Sequence, residues 1–282
     1  MCSSTRPSIW TTKELRAQGY TKRAIADLVA SGRLRRARRG VYAWQDACDD
    51  AFTAAEHGGS LGCTDAAEHL GLWLLPPPED ESAEPTPRPG PHVWMRADRH
   101  QYAHSDCASV PHWDAGDCRD AFGLPSVTQV LEQVYRCRGA EQFFVALESA
   151  RRQNLILGKA LAVLRSALDA VGRDLVDFSR ADADSGLESL VRLRLRRHGI
   201  SVRTQVDVYG TGRVDLVLDG WLLIEADGKA NHDGESMRHK DLVRDANAAS
   251  WGLTTLRFDY AMIIYDWDLV ERAILGMLAT RA

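Results

Sequence analysis

The sequence predicts three modules in a row: a winged helix-turn-helix, a mostly helical middle region, and an α/β C-terminal domain running helix, three-strand meander, helix, strand. Three observations predict it. Caps and apolar spacing over residues 11–32 mark two short helices ahead of a basic hairpin. The acidic, proline-rich stretch PPPEDESAEPTPRPGP at 76–91 is too polar to bury and reads as an exposed loop ahead of amphipathic helices. From residue 184, helix and strand signals alternate. The modules follow as 1–45, 46–180 and 184–282, with RADADSG (180–186) as a linker, a division that suits 282 residues and 31.3 kDa.

In order along the chain, Thr11-Thr12 followed by Glu14 marks a helix start, leading into KELRAQ and stopping at Gly19. Thr21 caps a second helix, KRAIADLVASG, with Ile25, Leu28 and Val29 at i, i+3 and i+4 and Gly32 at its end. RLRRARRGVYAW then reads as a hairpin turning at Gly40. In a winged helix the second helix enters the major groove and the wing meets phosphates. Residues 48–75 read as helices with Leu70–Leu75 packing inward, 92–124 as short strands and turns, and Ser126–Cys137, Ala140–Gln153 and Leu157–Val171 as helical scaffold. LESLVRLRLRRHG starts after Ser185 and stops at Gly199. ISVRTQVDVYG, GRVDLVLDG and WLLIEADG are strands, ESMRHKDLVRDANAASWG is a helix, and LTTLRFDY is a fourth strand.

Composition narrows the function classes. With 45% hydrophobic and 26% charged residues the chain is a folded one. No apolar run approaches the roughly 18 residues of a membrane helix, and MCSSTRPSIW lacks a signal peptide's apolar core, so the expectation is a cytoplasmic, nucleoid-associated protein without a membrane partner. Cys2, Cys48, Cys63, Cys107, Cys118 and Cys137 form no C-x-x-C pair and no Cys/His pair. They are expected to be reduced thiols, with a zinc site disfavoured. His57, His69, His92, His100, His104 and His112 also lack paired ligand spacing and read as surface or structural residues.

A net charge of −4 hides an asymmetry: residues 1–45 hold ten Lys/Arg against two acids, +8, and residues 46–91 hold ten acids against one Arg, −9. A local basic face is what phosphate binding needs, so Lys22, Arg23, Arg33, Arg35, Arg36, Arg38 and Arg39 are candidate DNA contacts. The acidic segment is a candidate mask for them.

The C-terminal acids carry the chemistry. Glu225 and Asp227, two apart on one strand, leave the same face. Asp215 lies ten residues earlier across the tight turn Asp219-Gly220, which places it beside Glu225. Glu188, one turn into the preceding helix, completes a cluster, and Lys229 follows just beyond the strand. Converging carboxylates repel one another unless they hold a hard cation, Mg²⁺ or Mn²⁺. Asp215, Glu225 and Glu188 are the candidate ligands, Asp227 and Lys229 the further candidate catalytic residues. Taken singly, Asp215 and Glu225 could instead pair with Arg213 or Arg257, Glu188 with Arg192 at i+4, and Arg244 with Asp241 or Asp245.

Two resemblances sharpen these readings. The run TTKELRAQGYTKRAIADLVASGRLRRARRGVY resembles the N-terminal DNA-binding domain of AbiE-type (type IV) antitoxins, which implies DNA binding and a toxin partner. VDLVLDGWLLIEADGKANH and RHKDLVRDANAASWGLTTLRFDY resemble the very-short-patch-repair-endonuclease-like family of the PD-(D/E)xK superfamily. The matching pieces are Glu188, Asp215, Glu225-x-Asp227-Gly228, His232, Arg244-Asp245 and the L-R-F strand. This resemblance implies an endonuclease or nickase that leaves a 5′-phosphate, in repair, restriction or phage defence, with His232 and Arg244 near DNA and a homodimer where both strands are cut. Asp227 stands at the superfamily's lysine position, with Lys229 displaced by two. The alternative is a non-catalytic regulator or antitoxin with a degenerate nuclease domain.

Overall fold

The computed structural model describes residues 9–76, 90–97, 100–102, 104, 107–114, 123–227 and 235–281. Most of the acidic loop, Lys229 and His232 lie outside the described residues. The chain divides into two compact units, Met1–Phe143 with Ile156–Asp174, and Phe144–Leu155 with Leu175–Ala282. Among the described residues, no helix is long and apolar enough to cross a membrane.

The first unit opens with β1 (Ile9–Thr11), α1 (Thr12–Ala17), α2 (Lys22–Ala30), β2 (Leu34–Arg38) and β3 (Val41–Trp44). Thr11 caps α1 through a capping box: its hydroxyl accepts the Glu14 N–H at 3.2 Å while the Glu14 carboxylate accepts the Thr11 N–H at 2.6 Å. The Thr21 hydroxyl caps α2 by accepting the Ala24 N–H at 3.1 Å. The strands order β1-β3-β2, all antiparallel. Because β3 alternates, Tyr42 and Trp44 pack with Leu15, Ile25 and Leu34 under α1 and α2. Val41 and Ala43 pack with Ile9 and Ala55 of α3 (Asp49–Glu56) on the other face.

Beyond it lie β4 (Ser60–Leu61), α4 (Cys63–His69), β5 (His92–Arg96) and β6 (Val110–Asp114). These strands form a second sheet, β4-β5-β6, with β5 and β6 parallel. α5 (Val127–Arg152) is two helical stretches meeting at Gly139, whose φ of 83° no helical residue adopts, which matches the break expected between Cys137 and Ala140. The helix expected over Leu157–Val171 is two helices instead, α6 (Gly158–Ala167) and α7 (Ala170–Phe178). Leu168 is extended between them, and the Asp169 carboxylate accepts the Gly172 N–H at 2.8 Å to start the second. Cys48 is disulfide-bonded while Cys63, Cys107 and Cys137 are free, so the expectation of six reduced thiols fails at Cys48. Pairing depends on proximity in the fold, which spacing did not reveal.

The second unit runs α8 (Gly186–Leu195), one turn of 3-10 helix (Arg196–His198), β7 (Val202–Val208), β8 (Gly212–Leu218), β9 (Leu222–Asp227), α9 (Glu235–Ser250) and β10 (Thr254–Asp259). This is the expected order. Two helices not anticipated from the sequence follow, α10 (Tyr260–Tyr265) and α11 (Trp267–Ala279). The sheet orders β10-β9-β8-β7, antiparallel except for the parallel β9–β10 pair that α9 connects.

Glu271 of α11 ties that helix to the 3-10 turn, meeting His198 at 2.9 Å and Arg197 at 2.6 Å. These two partners hold its carboxyl down to about 2, against an ordinary 4.5. A depressed carboxylate stabilises the fold above its unfolded pKa, and that stability is lost as pH falls through the folded one. Glu271→Gln is therefore expected to lower stability by about 1 kcal/mol at neutral pH. In thermal melts the difference from wild type should close as pH drops from 4.5 toward 2; a gap that does not change with pH would refute the assignment.

Candidate active site

Local chemistry sets the register that builds the site. Asp219 and Gly220 both have positive φ, 47° and 80°, and the Trp221 N–H donates to the Leu218 carbonyl at 3.1 Å, which closes a tight turn that matches strand twist. With Trp221 as an extra residue the connection is three residues long, and it pairs Leu218 with Leu222 and Leu216 with Ile224. The next position outward sets Asp215 against Glu225, as the sequence implies. There the ladder gives way: the Asp215 carboxylate, not a backbone carbonyl, accepts the Ala226 N–H at 2.9 Å.

Glu188 sits in the first turn of α8, whose N-cap Ser185 accepts the Glu188 N–H at 3.2 Å. Its buried carboxylate accepts the Asp184 N–H at 2.9 Å and the Gln205 side-chain amide at 2.6 Å. The same amide lies 3.4 Å from Asp215. Gln205 thus bridges the two carboxylates, and its φ of 51° within a strand is a strained conformation of the kind found at sites. Sequence reasoning missed it. The only signal was three polar residues in succession, Arg203-Thr204-Gln205, within an otherwise alternating strand.

Glu225 is held by two arginines, Arg244 at 2.6 Å and Arg257 at 3.7 Å. Arg244 also donates to the Thr211 and Arg213 carbonyls at 2.7 and 3.0 Å, which builds it into the site beside Glu225. Asp245 takes Arg257 at 2.7 and 2.8 Å, and the Asp241 side chain lies outside the described residues. Glu188 does not use Arg192, whose partner is Glu148, and Arg213 pairs with Asp184 at 3.2 Å. Asp227 ends β9 beside Asp259 of β10.

Burial is the main reason the carboxyls of Asp215, Glu225 and Glu188 are all pushed up. Neighbouring carboxylates add to each, Asp227 and Asp184 for Asp215, Asp215 and Asp227 for Glu225, and Asp215 for Glu188. The four acids therefore share one electrostatic neighbourhood. Among the described residues, however, no three of their oxygens come within 4.8 Å of one another. Gln205 lies between Glu188 and Asp215, and Arg244 and Arg257 take up the Glu225 carboxylate.

At the N-terminal module, Lys22, Arg23, Arg33, Arg36 and Arg39 are exposed. Arg35 and Arg38 are not free for phosphates in the way the sequence suggests. Arg35 pairs with Asp49 at 2.7 Å and lies 3.8 Å over the Phe52 ring. Arg38 donates to the Ala55 carbonyl at 2.9 Å. A bulge between Arg36 and Arg38 turns alternate side chains toward α3.

Residues 6–44 match a family model described as "Transcriptional regulator, AbiEi antitoxin", which agrees with the resemblance drawn from the same stretch. Compared with curated proteins, the chain has no match.

Proposed function

We propose that this protein is a metal-dependent DNA endonuclease or nickase directed to DNA by its N-terminal winged helix. One observation supports the reading above others. Glu188, Asp215, Glu225 and Asp227 gather where β8 and β9 part, in a unit whose order of helix, three-strand meander, helix and strand is that of the PD-(D/E)xK resemblance. The donors are all carboxylate oxygens, a set suited to Mg²⁺ or Mn²⁺. Asp215 and Glu225 would hold the ion, with Glu188 joining directly or through water. When bound, such an ion lowers the pKa of a water and stabilises charge building on a phosphodiester.

The chain's own residues prepare that step. Gln205 keeps Glu188 and Asp215 in register, the Ala226 N–H fixes the Asp215 carboxylate, and Arg244 and Arg257 hold Glu225 against its like-charged neighbours. Lys229, beyond the described end of β9, is the candidate that orients water or offsets developing charge.

A second reading is a DNA-binding regulator or antitoxin with a toxin partner and no catalysis. It is favoured by the match over residues 6–44 and by the arginines that already neutralise Glu225. Purified protein with supercoiled plasmid, linear duplex and single-stranded DNA, in Mg²⁺, Mn²⁺ or EDTA, separates the two. The expected result is metal-dependent nicking or cutting that falls at least ~100-fold in Asp215→Asn and in Glu225→Gln. DNA binding without cleavage on every substrate, modified DNA included, transfers the assignment to the regulator.

A further inference from the structure

The first unit brings together four side chains that the sequence keeps far apart. Cys63 begins α4, His92 begins β5, His112 lies in the middle of β6, and Cys137 lies in the N-terminal half of α5. Their ligand atoms all lie within 4.8 Å of one another. His92 Nδ1 is 2.8 Å from His112 Nε2 and 3.8 Å from Cys137 Sγ, and the two rings stack with centroids 5.1 Å apart. A tetrahedral zinc site with ordinary Zn–N and Zn–S bonds has edges of about 3.3–3.8 Å. The cluster needs only small adjustments to reach that shape.

The surroundings fix the ligands as a metal site would. Cys63 is buried and holds a left-handed backbone, φ 46°, which a non-glycine residue keeps only when its neighbours demand it. Its N–H donates to Gln133 Oε1 at 2.8 Å, and the Gln133 amide donates in turn to Asp114, two residues beyond His112, at 2.6 Å. Asp65 accepts the His92 backbone N–H at 3.0 Å. Gly62, just before Cys63, lies so close to its neighbours that a Cβ would stand 2.9 Å from the Trp94 N atom and 3.0 Å from Gln133 Oε1. The backbone that presents Cys63 is thus packed without slack.

We infer that Cys63, His92, His112 and Cys137 bind one Zn²⁺ in a closed, structural Cys₂His₂ site that fastens α4 and α5 to the β5–β6 edge. Two thiols lose their protons to the solvent as the ion binds, so the two thiolates balance the dication and the two imidazoles ligate as neutral groups. With all four positions taken by protein, no open position remains for a substrate. The inference departs from the reading drawn from spacing, in which a zinc site is disfavoured and His92 and His112 are surface or structural residues. The inference is independent of the C-terminal carboxylates.

The test uses the full chain, purified under reducing conditions without added chelator. Elemental analysis is expected to find one zinc per chain. Replacing it with Co²⁺ should give the intense visible bands of a tetrahedral ion and thiolate-to-cobalt charge transfer in the near ultraviolet. Cys137→Ser, at the exposed ligand, should weaken zinc binding by ~10–100-fold or more and lose charge-transfer intensity. Asp215→Asn and Glu225→Gln should leave both readouts unchanged. Wild-type protein that takes up neither zinc nor tetrahedral cobalt would overturn the proposal, as would a Cys63–Cys137 disulfide found by peptide mapping in place of bound metal.

Discussion

Glu148→Leu alone is expected to destabilise the second unit by about 3–5 kcal/mol, and Arg192→Met alone by a similar amount, whereas the double substitution should cost far less than the sum. Both side chains are about 1% exposed and form an ion pair. Burial pushes the Glu148 carboxyl up, and Arg192 opposes that shift. Arg192 lies 4.3 Å over Phe178 and 5.3 Å from the Phe144 ring, and it also donates to the Phe178 carbonyl. Removing one partner leaves a full charge among aromatic rings with no water to receive it. Removing both with apolar side chains of similar length leaves no such charge, although the Arg180 N–H that Glu148 accepts is then lost. Among the described residues, one Glu148 oxygen and the Arg192 Nε find no hydrogen-bond partner, so the pair is imperfectly satisfied even in place. Hydrogen exchange read at β8 and β9 measures the effect within this unit. A single variant within 1 kcal/mol of wild type, or a double variant as unstable as the worse single, would refute the account. The pair matters to the site because Arg192 sits one turn after Glu188 on α8, so its anchoring sets where Glu188 points.

Legibility followed the range of the interactions. The winged helix could be read because its determinants are local: Thr11 with Glu14, Thr21 with Ala24, apolar spacing in α2 and a turn at Gly40. Its first strand escaped notice, since Ile9–Thr11 is a strand only because β3 pairs with it. Asp219-Gly220 likewise marks the turn between β8 and β9, and Trp221, the third residue of the connection, completes the register that sets Asp215 against Glu225. What stayed hidden depended on distant partners. Glu148 and Arg192 are 44 residues apart, so the only candidate partner visible in the sequence was Glu188 at i+4. Gln205 acquires its role only when β7 lies beside β8 and α8 above them. The Cys/His cluster spans positions 63 to 137, and its geometry exists only once two helices and a parallel strand pair meet. α10 and α11 are a different kind of omission, because Asp259, within the segment read as the fourth strand, is also a plain N-cap that accepts the Met262 N–H at 2.8 Å.

The division of labour among the N-terminal arginines supplies the second large effect. Replacing Arg33, Arg36 and Arg39 together by alanine is expected to weaken binding to duplex DNA several-hundred-fold near ~0.1 M salt and to flatten the salt dependence by about 2.7 log units per log unit of salt. The reason is counterion release: each phosphate neutralised by an exposed arginine frees condensed ions, and the three exposed side chains of the wing region hold none of the packing roles seen beside them. Arg35→Ala and Arg38→Ala should do the opposite. Arg35 is committed to Asp49 and Phe52 and Arg38 to the Ala55 carbonyl, so their loss should loosen α3 from the sheet and lower the melting temperature while the salt slope stays near wild type. Titrations of a fluorescent duplex across a salt series, paired with melts of the same variants, read both quantities. Equal slopes for the two sets would mean that the wing does not face the phosphates. A slope lost mainly with Arg35 and Arg38 would mean that α3 leaves the sheet when DNA binds.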